Sequence, residues 1–154
     1  AKYPNIRLQI LGDCPADSDL VQGFRARLES ERAGDNVALL GFVEPHKLPD
    51  YYRRANVFCS PAQFEGGVAN VYLEAMACGT PVIASDLPAL IEAVGDAAEL
   101  VSPENVFDIA RALRALLLDP DLRRRRSQEG LAQAAQFRWD ATAQAVLGIY
   151  LELT

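Results

Sequence analysis

The stretch from Phe64 to Asp86, FEGGVANVYLEAMACGTPVIASD, decides how the whole chain is read. An acid, Glu65, stands directly before a glycine pair, and a second acid, Glu74, lies inside the apolar run that follows. NVYLEAMACG has the apolar spacing of a helix and stops at Gly79. TPVIASD opens with a proline and runs apolar, as a buried strand does. Just upstream, NVFCSPA is a third short apolar run and ends at Ser60-Pro61. The order is strand, glycine loop, helix, strand.

The same alternation continues outward. IRLQILG and NVALLGFV read as strands, and so does AAELVSP further on. Between the first two, ADSDLVQGFRARLESERAG offers Ser18 or Asp19 as a cap, Leu20, Val21, Phe24 and Leu28 at helical spacing, and Gly34 as a stop. EPHKLPDYYRRA and LPALIEAVGD are short helical segments. ENVFDIARALRALLLDP is an amphipathic helix capped near Ser102, and DLRRRRSQEGLAQAAQF and RWDATAQAVLGIYLEL are two more helices. Strands of four to six residues alternating with helices predict an α/β fold, an open, mostly parallel, Rossmann-like sheet with helices on both faces. Near-continuous apolar strands fit a sheet covered on both sides. Ligands of such sheets bind beyond the carboxyl ends of the strands. Gly12-Asp13, Gly41 to Glu44, Ser60 to Gly67 and Ser85-Asp86 are therefore expected on one rim.

Bulk properties narrow the function. The 154 residues suit one domain, and half are hydrophobic, enough for a sizeable core. A net charge of −6 argues against a nucleic-acid partner, which calls for a basic face. No apolar run is long enough for an integral membrane segment. Cys14, Cys59 and Cys78 are an odd set without metal-ligand spacing, which points to a reducing compartment such as the cytoplasm.

Each candidate residue has a bland reading beside the functional one. Gly66-Gly67 either make a turn or let backbone amides approach a diphosphate at the following helix N-terminus. A lone glutamate in a helix is usually solvated, but Glu74 has small neighbours, Ala75, Ala77 and Gly79, that suggest tight packing. Near the rim its carboxylate could accept hydrogen bonds from a vicinal diol. Gly12 is a weak fingerprint alone, and Gly41-Phe42-Val43 is either a plain turn or a backbone edge for a base. His46, beside Lys47, reads as a solvated surface histidine. Arg123 to Arg126 point around a helix and read as mostly solvated. Trp139 reads as a packing anchor for the last helix, and Cys78 as a small buried filler.

At this point the residues resemble a known family. FEGGVANVYLEAMACGTPVIASD is similar to the signature of the retaining GT-B glycosyltransferases of the group-1 (family-4) class, roughly E-G-x-x-x-x-x-x-E-A-M-A-x-G-x-P-V-I-A. The resemblance continues through IRLQILGD, NVALLGFVEPHKLPDYYRRANVFCSPA, AAELVSP and FRWDATAQAVLGIY, and so covers nearly the whole chain in order. It implies that residues 1–154 are the nucleotide-sugar (donor)-binding C-terminal domain of a two-domain enzyme that transfers a sugar with retention and without a metal or other cofactor. It puts Glu74 on the ribose hydroxyls and Glu65 beside the transferred sugar as the catalytic residue. It puts Gly66, Gly67, Val71 and Tyr72 at the sugar and diphosphate, through backbone amides. Gly12 belongs to the same rim, and Phe42, Val43 and Leu48 line the base pocket.

Three departures from the family pattern matter. Eight residues, Gly66 to Leu73, separate the two glutamates where the family has seven. The family's Gly-Arg-Leu…Lys-Gly segment, whose Arg and Lys neutralise the diphosphate and whose strand is central, does not precede LQILG. The N-terminal acceptor domain is also absent from this chain. The expectation is a domain truncated at its N-terminus, inactive alone and prone to self-association, with any membrane association supplied by the absent half. The competing readings are a non-catalytic nucleotide-binding module and a nucleotide-sugar epimerase of the same fold.

Overall fold

A computed structural model describes residues 5–13, 15, 17–64 and 70–152. The chain divides into two compact units, Ala1–Leu48 and Pro49–Thr154. Glu65, Gly66 and Gly67 lie outside the described residues.

The first unit holds β1 (Leu8–Leu11), α1 (Asp19–Ser30) and β2 (Val37–Gly41). β1 and β2 pair in parallel, Leu8 opposite Val37 and Ile10 opposite Leu39, with a register irregularity between Ile10 and Leu11. α1 starts where the Ser18 hydroxyl accepts the Val21 amide at 3.3 Å, so the cap is Ser18. The helix closes at Glu31, before Gly34, which opens a 3-10 turn running into β2. Asn36 ties that turn to the strand start by donating to the Ile6 carbonyl at 2.7 Å.

The second unit runs through α2 (Leu48–Arg54, whose first residue is the last of the first unit), β3 (Phe58–Ser60), α3 (Asn70–Ala77), β4 (Val82–Ser85), α4 (Pro88–Val94), β5 (Ala98–Val101), α5 (Val106–Leu118), α6 (Pro120–Ala134) and α7 (Trp139–Glu152). The strands pair in parallel in the order β3-β4-β5. Every residue of the central strand β4 is buried. Ile83 packs with Val101, Ala112 and Leu116, so α5 covers one face. Alternation turns Val82 and Ala84 to the other face, where α3 and α4 lie against β4.

Helix α3 is short because Gly79, at φ 75°, takes the left-handed position that ends it. The Thr80 amide then donates to Ala75 and the Gly79 amide to Met76, satisfying carbonyls of the last turn. Of the small neighbours of Glu74, Ala75 is buried, Gly79 is half-buried and Ala77 is exposed, so only part of that side of α3 packs tightly. A β-carbon on Gly130 of α6 would stand 3.2 Å from Met76 Cγ, so the glycine is what lets the two helices close.

The described structure bears out parallel sheets with helices on both faces, and corrects several local expectations. The strands form two ladders, and β1 is not covered: Leu8 and Ile10, which share a face, are 48% and 37% exposed. The cap of α5 is Asn105, whose Oδ1 accepts the Phe107 and Asp108 amides, and not Ser102. The arginine run is only half solvated. Arg123 donates to the Leu116 and Leu117 carbonyls at the end of α5, and Arg126 forms a half-buried ion pair with Glu99 at 2.8 Å and also reaches Glu129 and the Asp96 carbonyl. Trp139 is 83% exposed and anchors nothing among the described residues, because no residue of α7 is buried. Cys78 is half-buried rather than enclosed.

Candidate functional site

In the second unit, two side-chain hydrogen bonds gather the candidate residues at the carboxyl ends of the strands. Tyr72, fully buried in the first turn of α3, donates its hydroxyl to the Ser60 carbonyl at 2.7 Å. This fixes the N-terminal end of α3, with the backbone amides of Val71 and Tyr72, beside the last residue of β3. Ser85, the last residue of β4, donates to the Ala62 carbonyl at 2.6 Å. The segment after β3 and the end of β4 therefore lie on one rim. The start of α3, like any helix N-terminus, carries partial positive charge there. Tyr72 is fully buried, whereas Val71 is partly exposed.

Glu74 lies one turn further along α3, exposed to solvent, and is not simply hydrated. The hydroxyl of Tyr52, in α2, donates to Glu74 Oε2 at 3.2 Å. Tyr52 is itself buried. Phe58 meets its ring edge-on at 5.6 Å and meets the ring of Tyr72 in the same way at 5.8 Å. The Thr80 hydroxyl, also buried, donates to the Tyr52 carbonyl at 2.7 Å. Burial, and next the Glu74 carboxylate, hold the Tyr52 hydroxyl well above the ordinary tyrosine range, so it remains a proton donor. Burial likewise pushes the Cys59 thiol, in β3, up to about 11.

In the first unit, Gly12 and Gly41 end β1 and β2 side by side, and the Gly12 amide donates to the Gly41 carbonyl at 3.0 Å. Gly41, at φ 67°, makes the turn that a side chain would strain. Phe42 beyond it is 68% exposed, while Val43 and Leu48 are half-buried. Gly12, Phe42 and Val43 thus share the carboxyl end of one ladder, and Val71 and Tyr72 adjoin that of the other, with Glu74 further along α3. His46 is a surface histidine, 3.5 Å from Glu44 Oε2. Tyr52 is the site residue that sequence reading passed over.

Among the described residues no group of three or more His, Cys, Asp and Glu side chains could hold a metal ion, and no helix is long and apolar enough to cross a membrane. Two shallow concavities, one beside Arg25, Glu29 and Val37 and the other beside Asp96, Glu129 and Gln133, border none of the candidate residues.

Open parallel ladders flanked by helices, with a helix N-terminus at the strand ends, define a Rossmann-like α/β fold. More narrowly, residues 1–133 match the family described as "Glycosyl transferases group 1", and the chain belongs to that family. It is 40% identical over 142 residues to a D-inositol 3-phosphate glycosyltransferase of Streptomyces bingchenggensis, covering 90% of this chain and 31% of that protein. Among solved structures it superposes on the sucrose-phosphate synthase of Thermosynechococcus elongatus with a TM-score of 0.86 and 32% identity, over 99% of this chain and 39% of that one. HepE of Anabaena, solved in complex with UDP, shares the fold at a TM-score of 0.85 and 19% identity, over 98% of this chain and 42% of that one. The chain spans about a third of the length of the curated relatives it matches.

Proposed function

We propose that residues 1–154 are the donor-binding domain of a glycosyltransferase that uses a nucleoside-diphosphate sugar and transfers the sugar with retention. The observation that carries this reading is Glu74: an exposed carboxylate, held by a buried tyrosine, on a helix whose N-terminus adjoins the end of β3. A carboxylate there suits the two ribose hydroxyls of a nucleotide whose diphosphate rests at the start of α3. Membership of the group 1 family supports the transferase reading, and HepE, with its bound UDP, is an example of this fold holding a nucleoside diphosphate.

In this reading Gly66, Gly67, Val71 and Tyr72 give backbone amides to the diphosphate, and Glu65 lies at the transferred sugar. Gly12, Phe42, Val43 and Leu48 serve the base. As the glycosidic bond breaks, negative charge grows on the departing diphosphate, and the helix N-terminus stabilises it without reorganising. No metal is required. The acceptor is bound by a further domain of the full enzyme, and these residues alone do not catalyse transfer.

Calorimetric titration of nucleoside diphosphates into the full enzyme tests the reading. A charged hydrogen bond to ribose contributes roughly 1.5–3 kcal/mol, so Glu74→Gln should weaken binding by about ten-fold to a hundred-fold and erase discrimination against the 2′-deoxy form. Unchanged affinity would remove the ribose role. Glu65→Gln should slow sugar transfer while leaving diphosphate affinity intact, and normal turnover would take Glu65 out of the mechanism.

A further inference from the structure

We propose that Tyr52 is the positioning residue for Glu74: its hydroxyl holds one carboxylate oxygen in place so that the other meets the ribose hydroxyls of the donor. This rests on the ribose role of Glu74. The two residues belong to different helices and meet through one hydrogen bond, Tyr52 Oη to Glu74 Oε2 at 3.2 Å. Oε1 has no hydrogen-bond partner among the described residues, and a carboxylate retains acceptor positions after taking a single donor.

The alternative is that Glu74 merely satisfies a buried hydroxyl. The environments of the two groups argue otherwise. Tyr52 is fixed at three points: its ring against the edge of Phe58, its carbonyl by Thr80, and its hydroxyl at Glu74. Glu74 is exposed, and a solvated glutamate samples many rotamers. The rigid partner therefore holds the mobile one. A carboxylate already held loses less freedom when a diol arrives, which raises affinity without any new contact to the ligand. Burial also keeps the tyrosine protonated, so it presents a donor rather than a repelling phenolate.

The experiment uses the full protein, with UDP, GDP and ADP each titrated against its 2′-deoxy counterpart. The parent, Tyr52→Phe, Glu74→Gln and the double variant are compared, with a melting curve for each. Phenylalanine keeps the ring packed, so the melting temperature should move little. Tyr52→Phe should weaken the best-bound ribonucleotide by about three-fold to ten-fold and lower the ribo-to-deoxy affinity ratio. The double variant should bind no worse than Glu74→Gln alone. If Glu74→Gln weakens binding and Tyr52→Phe does not, the positioning role is wrong and the donor reading stands. The positioning role also falls if Tyr52→Phe weakens both forms equally, if the two substitutions add, or if Tyr52→Phe fails to fold, because the hydroxyl then serves packing. If no nucleotide distinguishes ribose from deoxyribose in the parent, or Glu74→Gln binds like it, the donor reading itself fails.

Discussion

The strands β1 and β4 are alike in sequence and opposite in setting. LQIL and VIAS are both short, mostly apolar runs in parallel ladders. β4 lies between two parallel neighbours and under helices on each face, and all four of its residues are inaccessible. Among the described residues β1 has a single paired neighbour, and Leu8 and Ile10 lie partly in water. An apolar strand sequence thus states what a strand can tolerate on its faces, while the layers around it decide how much free energy that sequence returns. Fully burying a side chain such as Ile83 contributes roughly 1.5–3 kcal/mol, and a half-exposed one correspondingly less.

The sharpest way to break this comparison is a matched pair of truncations followed by denaturant unfolding. Ile83→Ala removes a side chain enclosed by Val101, Ala112 and Leu116 and should cost roughly 2–5 kcal/mol. Ile10→Ala should cost less than about 1 kcal/mol. Equal losses would mean that β1 is covered in solution as completely as β4.

A smaller contrast concerns one polar tie from each unit. Thr80→Val deletes a buried hydrogen bond to the Tyr52 carbonyl, which keeps the Ala55 amide as a second partner, so the loss should be about 1 kcal/mol. Asn36→Ala deletes an exposed tie to Ile6, where water replaces the donor, and should cost about 0.5 kcal/mol. A reversed order would assign the first unit more of the stability than its burial suggests.

The smallest signal is a slope with pH. The folded Cys59 thiol keeps its proton up to about 11, whereas the unfolded thiol gives it up near its ordinary value of 9.0. Between those values the unfolded state binds fewer protons, so stability must fall as pH rises. Below pH 9 the thiol adds no slope. Tyr52, raised in the same direction, steepens the decline above its ordinary value of 10.0. Cys59→Ala should flatten the segment between pH 9 and 10 in a series of thermal midpoints. A parent midpoint that does not decline there would show the β3 thiol to be more accessible than its burial implies.

Much of this architecture was legible because the signals are local. Apolar runs placed all five described strands, the Ser18-Asp19 pair announced α1, with Ser18 proving to be the cap, and Gly79 announced the end of α3. Matching the family's blocks in order then named the fold. What stayed hidden depends on neighbours distant in sequence. LPDYYRRA does not say which tyrosine turns inward, and the partner of Tyr52 is Glu74, in another helix. Arg123 and Arg126 differ from Arg124 and Arg125 only in what stands opposite them: a helix end for one, Glu99 for the other. The bulk of Trp139 suggested packing, but bulk creates burial only where another surface meets it. The Asn105 cap was missed although its signal was present, an asparagine directly before the first periodic apolar residue, Val106.

The closeness of Gly130 to Met76 has a consequence for how the chain is made. β3, β4 and β5 pair in the order in which they leave the ribosome, so each new strand finds its partner already synthesised. Helix α3 does not share that advantage. The face of Met76 that Gly130 covers must wait for α6 to be translated, roughly three to ten seconds later at ordinary elongation rates. During that interval the nascent chain carries a formed strand order and an apolar helix face open to chaperones, and the helix that bears Glu74 takes its final packing only when α6 arrives.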